Sequence, residues 1–85
     1  MEISFTTEAF EHLQFWKKSG TKKILDKIIR LLEEIQQTPF ESTGKPEALK
    51  HNWAGYWSRR ITGEHRLVYK VENETIIVVQ LRFHY

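Results

Sequence analysis

The chain has 85 residues, which suits one small domain rather than two, and such a domain is marginally stable on its own. Hydrophobic content of 40% with 13% aromatics belongs to a globular chain, and the absence of cysteine removes disulfide staples and thiolate metal ligands. Formal charge is only +2, no run approaches the roughly 18 apolar residues of a membrane span, and no basic-then-apolar leader opens the chain, so a cytoplasmic protein is expected.

Glu2-Ile3-Ser4-Phe5 alternates and predicts a short strand. Thr6-Thr7 offers an N-cap and Glu8 suits the first turn, while Ala9, Phe10, Leu13 and Trp16 recur at helical spacing, so a helix is expected over residues 8–18. Ser19-Gly20 closes it and Thr21 can cap a second helix from Lys22 to Gln37, whose stripe is Ile24, Leu25, Ile28, Leu31, Leu32 and Ile35. Thr38-Pro39 stops that helix. Its cations come early (Lys22, Lys23, Lys27) and its acids late (Glu33, Glu34), opposite to the helix dipole, which marks either a solvated face or a partner surface. Two helices joined by so short a link pack antiparallel.

Phe40 to Pro46 reads as a loop. A short strand is possible near 47–51, and three strands are expected at roughly 55–62, 65–72 and 75–84, separated by Thr62-Gly63-Glu64 and Glu72-Asn73-Glu74 turns. The expected fold is therefore a single α+β domain over 1–85: a small antiparallel sheet with both helices on one face. Alternation puts Ile77, Val79, Leu81 and Phe83 on one side of the last strand and Gln80, Arg82 and His84 on the other. Leu67, Tyr69 and Val71 form the apolar set of the strand before it. These sets share a face only if paired residue numbers sum to an even value, which calls for a hairpin loop of three or five residues. That register places Arg66, Arg82 and His84 together, away from the helices. In strand 55–62 Arg59 shares its parity with Trp57 and Ile61, a conflict that a bulge near Gly63 would remove.

Charge is unevenly spread. Residues 1–38 carry six Lys/Arg and six Asp/Glu, whereas Lys45 to Lys70 holds six cations against two acids, interleaved with Trp53, Tyr56, Trp57 and Tyr69. Cations among aromatics suit phosphate contact with base stacking, although a solvated basic face over an aromatic core has the same composition. The chain tip adds His84 and Tyr85. Cleaving RNA without a metal needs a base for the 2′-OH, an acid for the departing 5′-oxygen, donors for the phosphorane charge, and in-line positioning. Glu47 or a neutral histidine can serve as base and His84 as acid; Arg66 and Arg82 can brace the phosphate, and Tyr85 can stack or orient it. The duller alternatives are a loop carboxylate at Glu47 paired with Lys45 or Lys50, and structural hydrogen bonding by His51 and His65. His12 has no assigned role, and the other histidines are too scattered for a tight metal-ligand spacing.

The segments Thr38-Pro39-Phe40-Glu41, Gly44-Lys45-Pro46-Glu47, Leu49-Lys50-His51-Asn52, Gly55 to Thr62, Glu64 to Tyr69 and the ending Arg82-Phe83-His84-Tyr85 closely resemble the YoeB toxins of the RelE superfamily. The likeness implies a microbial-ribonuclease-like fold and an mRNA interferase from a type II toxin–antitoxin pair, cutting message in the ribosomal A site. By position it implies Glu47 as general base, His84 as general acid, Arg66 as phosphate-stabilising arginine and Tyr85 as an ordering residue. Lys50, His51, Arg59, Arg60 and Arg82 complete the expected RNA-binding set. It also implies a 2′,3′-cyclic phosphate product, no cofactor or metal, a YefM-like antitoxin, contact with mRNA and with 16S and 23S rRNA, and a homodimer. Three positions depart from the family pattern: Ala48 stands where proline is usual, Trp53-Ala54 where Leu-Ser is usual, and Phe83 where tyrosine is common. The competing functions are a gyrase-directed toxin of the same superfamily that acts by binding, and an RNA-binding accessory protein.

Overall fold

The computed structural model describes residues 1–40 and 46–83. Lys45, His84 and Tyr85 therefore lie outside the described residues. Strand β1 (Glu2–Phe5) leads into helices α1 (Thr7–Ser19) and α2 (Lys22–Gln37), followed by strands β2 (Glu47–Ala48), β3 (Trp57–Arg60), β4 (Arg66–Glu72) and β5 (Thr75–Gln80). The sheet order is β1-β5-β4-β3-β2. Four strands form an antiparallel meander, while β1 pairs parallel with β5, Ile3 beside Ile76, so the sheet is mixed rather than wholly antiparallel. The two-helix crossover between β1 and the meander makes that parallel pairing possible, since parallel strands need a long connection.

Local signals set the helix bounds. Thr6 is extended and its Oγ1 accepts from the Ala9 N–H at 3.2 Å, while Gly20 at φ 72° supplies the left-handed C-cap of α1. Thr38 ends α2 by donating both its N–H and its hydroxyl to the Glu34 carbonyl. Ala9 and Trp16 from α1 meet Ile28, Leu31 and Ile35 from α2 over Leu67, Tyr69, Ile76, Val78 and Leu81 of the sheet and its exit, with Ile61 at the margin. Both helices thus cover one sheet face and leave the other open.

The β4–β5 register departs from expectation. Tyr69 pairs with Val78, Val71 with Ile76 and Glu72 with Thr75, all odd sums, closing a two-residue turn at Asn73 and Glu74 with φ of 49° and 60°. That is the signature of a type I′ hairpin. The inward set of β5 is consequently Ile76 and Val78, not Ile77 and Val79. A register shift between Val68 and Tyr69 then brings Val68 opposite Gln80, leaving Val79 as the extra residue of a bulge and returning Leu81 to the core. An unbroken apolar run from Ile76 to Val79 carries no alternation, so turn chemistry decides the register. Because glutamate is disfavoured at φ 60°, Glu74→Gly is expected to stabilise the domain by about 0.5–1 kcal/mol in urea unfolding, less the entropy glycine adds to the unfolded chain. An unchanged or lower midpoint would contradict the strain.

Arg59 is the second departure. It is fully buried and points inward with Trp57 and Ile61, so no bulge is needed to resolve their parity. Its Nη2 donates to the Thr38 carbonyl at 2.7 Å, its Nε to the Tyr69 hydroxyl at 3.3 Å, and Nη1 lies 3.6 Å from Glu34 Oε2. The guanidinium therefore sits at the C-terminus of α2, where a cation is favoured, and answers the late acid of that helix. Tyr69 in turn donates to the Pro39 carbonyl at 2.6 Å, and burial pushes its phenol pKa up. Neither Arg59 nor Tyr69 is available to RNA.

Candidate functional site

The open face is built by cross-strand pairing. Glu47 of β2 lies opposite Ser58 of β3, Ser58 opposite Val68 of β4, and Val68 opposite Gln80 of β5, so one row of side chains crosses the helix-free face. Arg66 stands two residues before Val68, on the same side of β4. Its Nε and Nη2 donate to Ser58 Oγ at 3.0 and 2.6 Å, and Nη2 lies 3.7 Å from Glu47 Oε1, an ion-pair distance longer than a hydrogen bond. Guanidinium carries five N–H donors, so anchoring on one hydroxyl fixes its plane and leaves others for a ligand. Arg60 is exposed and pairs directly with Arg66 across β3 and β4. Like charges placed opposite each other destabilise a sheet. An anionic ligand would relieve that repulsion.

Beside this row the chain leaves β2 and forms a compact loop. The Leu49 N–H reaches the Tyr56 carbonyl at 3.0 Å, and a single 3₁₀ turn, His51–Trp53, fills the space between. His51 sits at φ 59°, a left-handed conformation uncommon outside glycine and asparagine. The loop walls a groove of about 410 Å³ with Glu47, Ala48, Leu49, Lys50 and His51, a volume within the range of small-ligand pockets. Trp53 and Tyr56 meet edge to face at 5.3 Å, and the Lys70 ammonium lies 5.4 Å from the Tyr56 ring. Lys70 also pairs with Glu72 at 3.1 Å, and that hydrogen bond raises its pKa.

Glu47, Lys50, His51, Arg60 and Arg66 are thus brought to one side of the molecule. Arg82 is not. Its guanidinium stacks 3.5 Å from the Phe15 ring centroid on α1 and 4.4 Å from that of Phe83, so it turns toward the helix side and not outward with Arg66. β5 ends at Gln80, so the strand alternation that predicted otherwise no longer applies at Arg82. The chain end nonetheless returns to Arg66: the Phe83 carbonyl accepts from the Arg66 N–H and from Gln80 Nε2, each at 3.1 Å.

Ser58 and Gln80 are missing from the residue set expected of the sequence. A serine and a glutamine in apolar strands look like surface residues, and only the register places Ser58 under Arg66. The single available signal was parity, which puts Ser58 with Arg60 and opposite Arg59. Among the described residues no group of three or more His, Cys, Asp or Glu could hold a metal ion, and no helix is long and apolar enough to cross a membrane.

A helix-backed five-stranded sheet with a carboxylate, a braced guanidinium and a groove holding Lys50 and His51 on its helix-free face defines a small α+β protein with a site suited to an anionic ligand. The model of the YoeB-like toxins of bacterial type II toxin–antitoxin systems matches residues 5–85, and the chain belongs to that family. Toxin YoeB of Escherichia coli K12 is 44% identical over 85 residues, the full length of both chains. Among solved structures, a YoeB/ParE toxin from Agrobacterium tumefaciens superposes with a TM-score of 0.94 at 42% identity, covering 100% of each chain. A heterotetrameric YoeB–YefM toxin–antitoxin complex from Staphylococcus aureus gives 0.89 at 42% identity, covering 100% of this chain and 98% of that one; the same toxin is also known as a dimer.

Proposed function

We propose that this toxin is an endoribonuclease that cuts mRNA in the ribosomal A site by metal-independent acid–base chemistry and so halts translation. The observation that carries the reading is the Glu47 carboxylate 3.7 Å from an Arg66 guanidinium held on Ser58, beside a groove lined by Lys50 and His51. In this mechanism Glu47 takes the 2′-OH proton as the 2′-oxygen attacks phosphorus. Negative charge gathers on the non-bridging phosphate oxygens, where Arg66 meets it with pre-oriented donors. The P–O5′ bond then breaks and His84, as imidazolium, protonates the leaving oxygen. The products are a 2′,3′-cyclic phosphate and a 5′-hydroxyl.

Tyr85 orders the substrate through its ring or hydroxyl. Lys50, His51 and Arg60 contact flanking phosphates, and the half-buried rings of Trp53 and Tyr56 offer their accessible edges for stacking to a base. No cofactor enters any step. A YefM-like antitoxin and a second copy of the chain are the partners this reading assigns, by analogy with the Staphylococcus aureus assemblies. Ribosomal RNA and message complete the set, which places the protein in the cytoplasm.

Primer extension on translating ribosomes tests the whole proposal. Cuts confined to the A-site codon, carrying cyclic phosphate ends, are the expected result. Full-length message on toxin-bound ribosomes would favour an RNA-binding accessory protein, and full-length message with inhibited supercoiling would favour a gyrase-directed toxin.

A further inference from the structure

Past Gln80 the chain leaves the sheet ladder, yet the backbone N–H and C=O of Leu81 and Phe83 all find partners. The Leu81 N–H donates to His12 Nδ1 at 3.1 Å, and the Phe83 N–H donates to His65 Nδ1 at 2.9 Å. The Leu81 carbonyl accepts from Trp16 Nε1 at 2.9 Å, and the Phe83 carbonyl accepts from the Arg66 N–H and Gln80 Nε2. The two imidazoles come from different layers, His12 from α1 and His65 from the turn that precedes β4. Together they close on residues 81–83 from two sides.

Imidazole nitrogen accepts a hydrogen bond only while it carries no proton. Both rings must therefore be neutral with the proton on Nε2, and a second proton would set each Nδ1–H against an amide N–H. We propose that His12 and His65 are positioning residues of the nuclease: as neutral acceptors they clasp residues 81–83, seat Phe83 beside Arg66 immediately before His84 in the chain, and let go of residues 81–83 when protonated. This inference rests on the ribonuclease reading for its consequence, but the clasp itself is a property of the free protein.

The surroundings favour the neutral state at His12. Its Nε2 lies 4.0 Å from Glu8 Oε1, beyond hydrogen-bond distance, with Glu11 on the same helix and Arg82 on the tail. Burial lowers its pKa below the ordinary 6.5; Glu8 opposes this, Arg82 adds to it, and Glu11 opposes it. His65 is faced by the Trp16 ring from α1 at 4.8 Å and the Phe83 ring from the tail at 6.1 Å, with Glu64 and Arg66 flanking it in the chain. Since the folded form holds the His12 proton less tightly than the unfolded chain does, its contribution is complete above the ordinary value and fades as pH falls through the lowered one. The same protein then needs a charged His84 and two neutral histidines at one pH.

The test combines amide protection factors at Leu81 and Phe83 in the free toxin, over about pH 5 to 8, with single-turnover cleavage on programmed ribosomes. Wild type should show protection at both amides that collapses on acidification. His12→Ala and His65→Ala should each lose protection and cut roughly 10- to 100-fold more slowly, with ribosome binding retained. His12→Asn and His65→Asn, whose Oδ1 accepts but does not titrate, should restore protection and flatten its pH dependence. Protection that ignores pH in wild type, which needs no variant to fold, overturns the clasp, as do alanine variants with unchanged protection and cutting. A wild type that cuts nothing at any pH while its protection still titrates overturns the ribonuclease reading and supports the clasp.

Discussion

Arg66→Lys is expected to slow single-turnover cleavage by about 10²–10³-fold while leaving the fold and ribosome binding intact, the loss typical of removing one preorganised donor from a developing oxyanion. Lysine keeps the charge but not the fork. Ammonium placed on Ser58 Oγ, where Nε and Nη2 now converge at 3.0 and 2.6 Å, would have no second arm for the phosphate. Its backbone N–H would still hold the Phe83 carbonyl, so the chain end should stay in place. Primer extension with quenched time points measures the rate, and a thermal melt checks the fold. Cutting at the wild-type rate would remove Arg66 from the chemistry and with it the reason for the Arg60–Arg66 pairing.

Arg59→Met should instead cost stability. The variant deletes hydrogen bonds to the Thr38 carbonyl and the Tyr69 hydroxyl and strips Glu34 of its 3.6 Å cationic partner. Breaking a buried charged arrangement by removing one member costs about 3–5 kcal/mol. The Glu34 side chain is 30% exposed and can turn toward water, so the lower end of that range is expected. For a domain of this size about 3 kcal/mol lowers the melting temperature by at least ~12 °C. Tyr69→Phe, which removes only the hydroxyl shared between Arg59 and Pro39, should cost less, about 1–3 kcal/mol. A melt of Arg59→Met within a few degrees of wild type, or ribosome cleavage lost without destabilisation, would return Arg59 to the RNA-binding set.

Arg59 and Arg60 together show how far local reading reaches. Strand alternation separates the two arginines onto opposite faces, and the parity of Arg59 with Trp57 and Ile61 pointed inward. A charged residue sharing parity with two apolar ones leaves strand alternation undecided, and a bulge near Gly63 is the alternative it allows. The cost of burying the guanidinium is offset by the Tyr69 hydroxyl 10 positions on and by the Thr38 carbonyl 21 positions back, with Glu34 of α2 beside it, and strand alternation around Arg59 reveals none of these partners. Arg82 departs for a different reason: β5 ends at Gln80, so strand alternation no longer governs the residues that follow, and its guanidinium stacks on Phe15 and Phe83.

Helix bounds, element order and the layer arrangement were determined by the sequence itself, because caps, periodicity and Pro/Gly stops act within a few residues. The family was legible too, through the likeness around Glu47 and Arg66. Strand register, the parallel seat of β1, the inward turn of Arg59, the Ser58 brace and the histidine clasp were decided only in the tertiary structure. Each depends on which residue of one strand or helix faces which residue of another. That choice balances turn strain, apolar burial and the pairing of buried polar groups over the whole domain, and no single segment holds the sum.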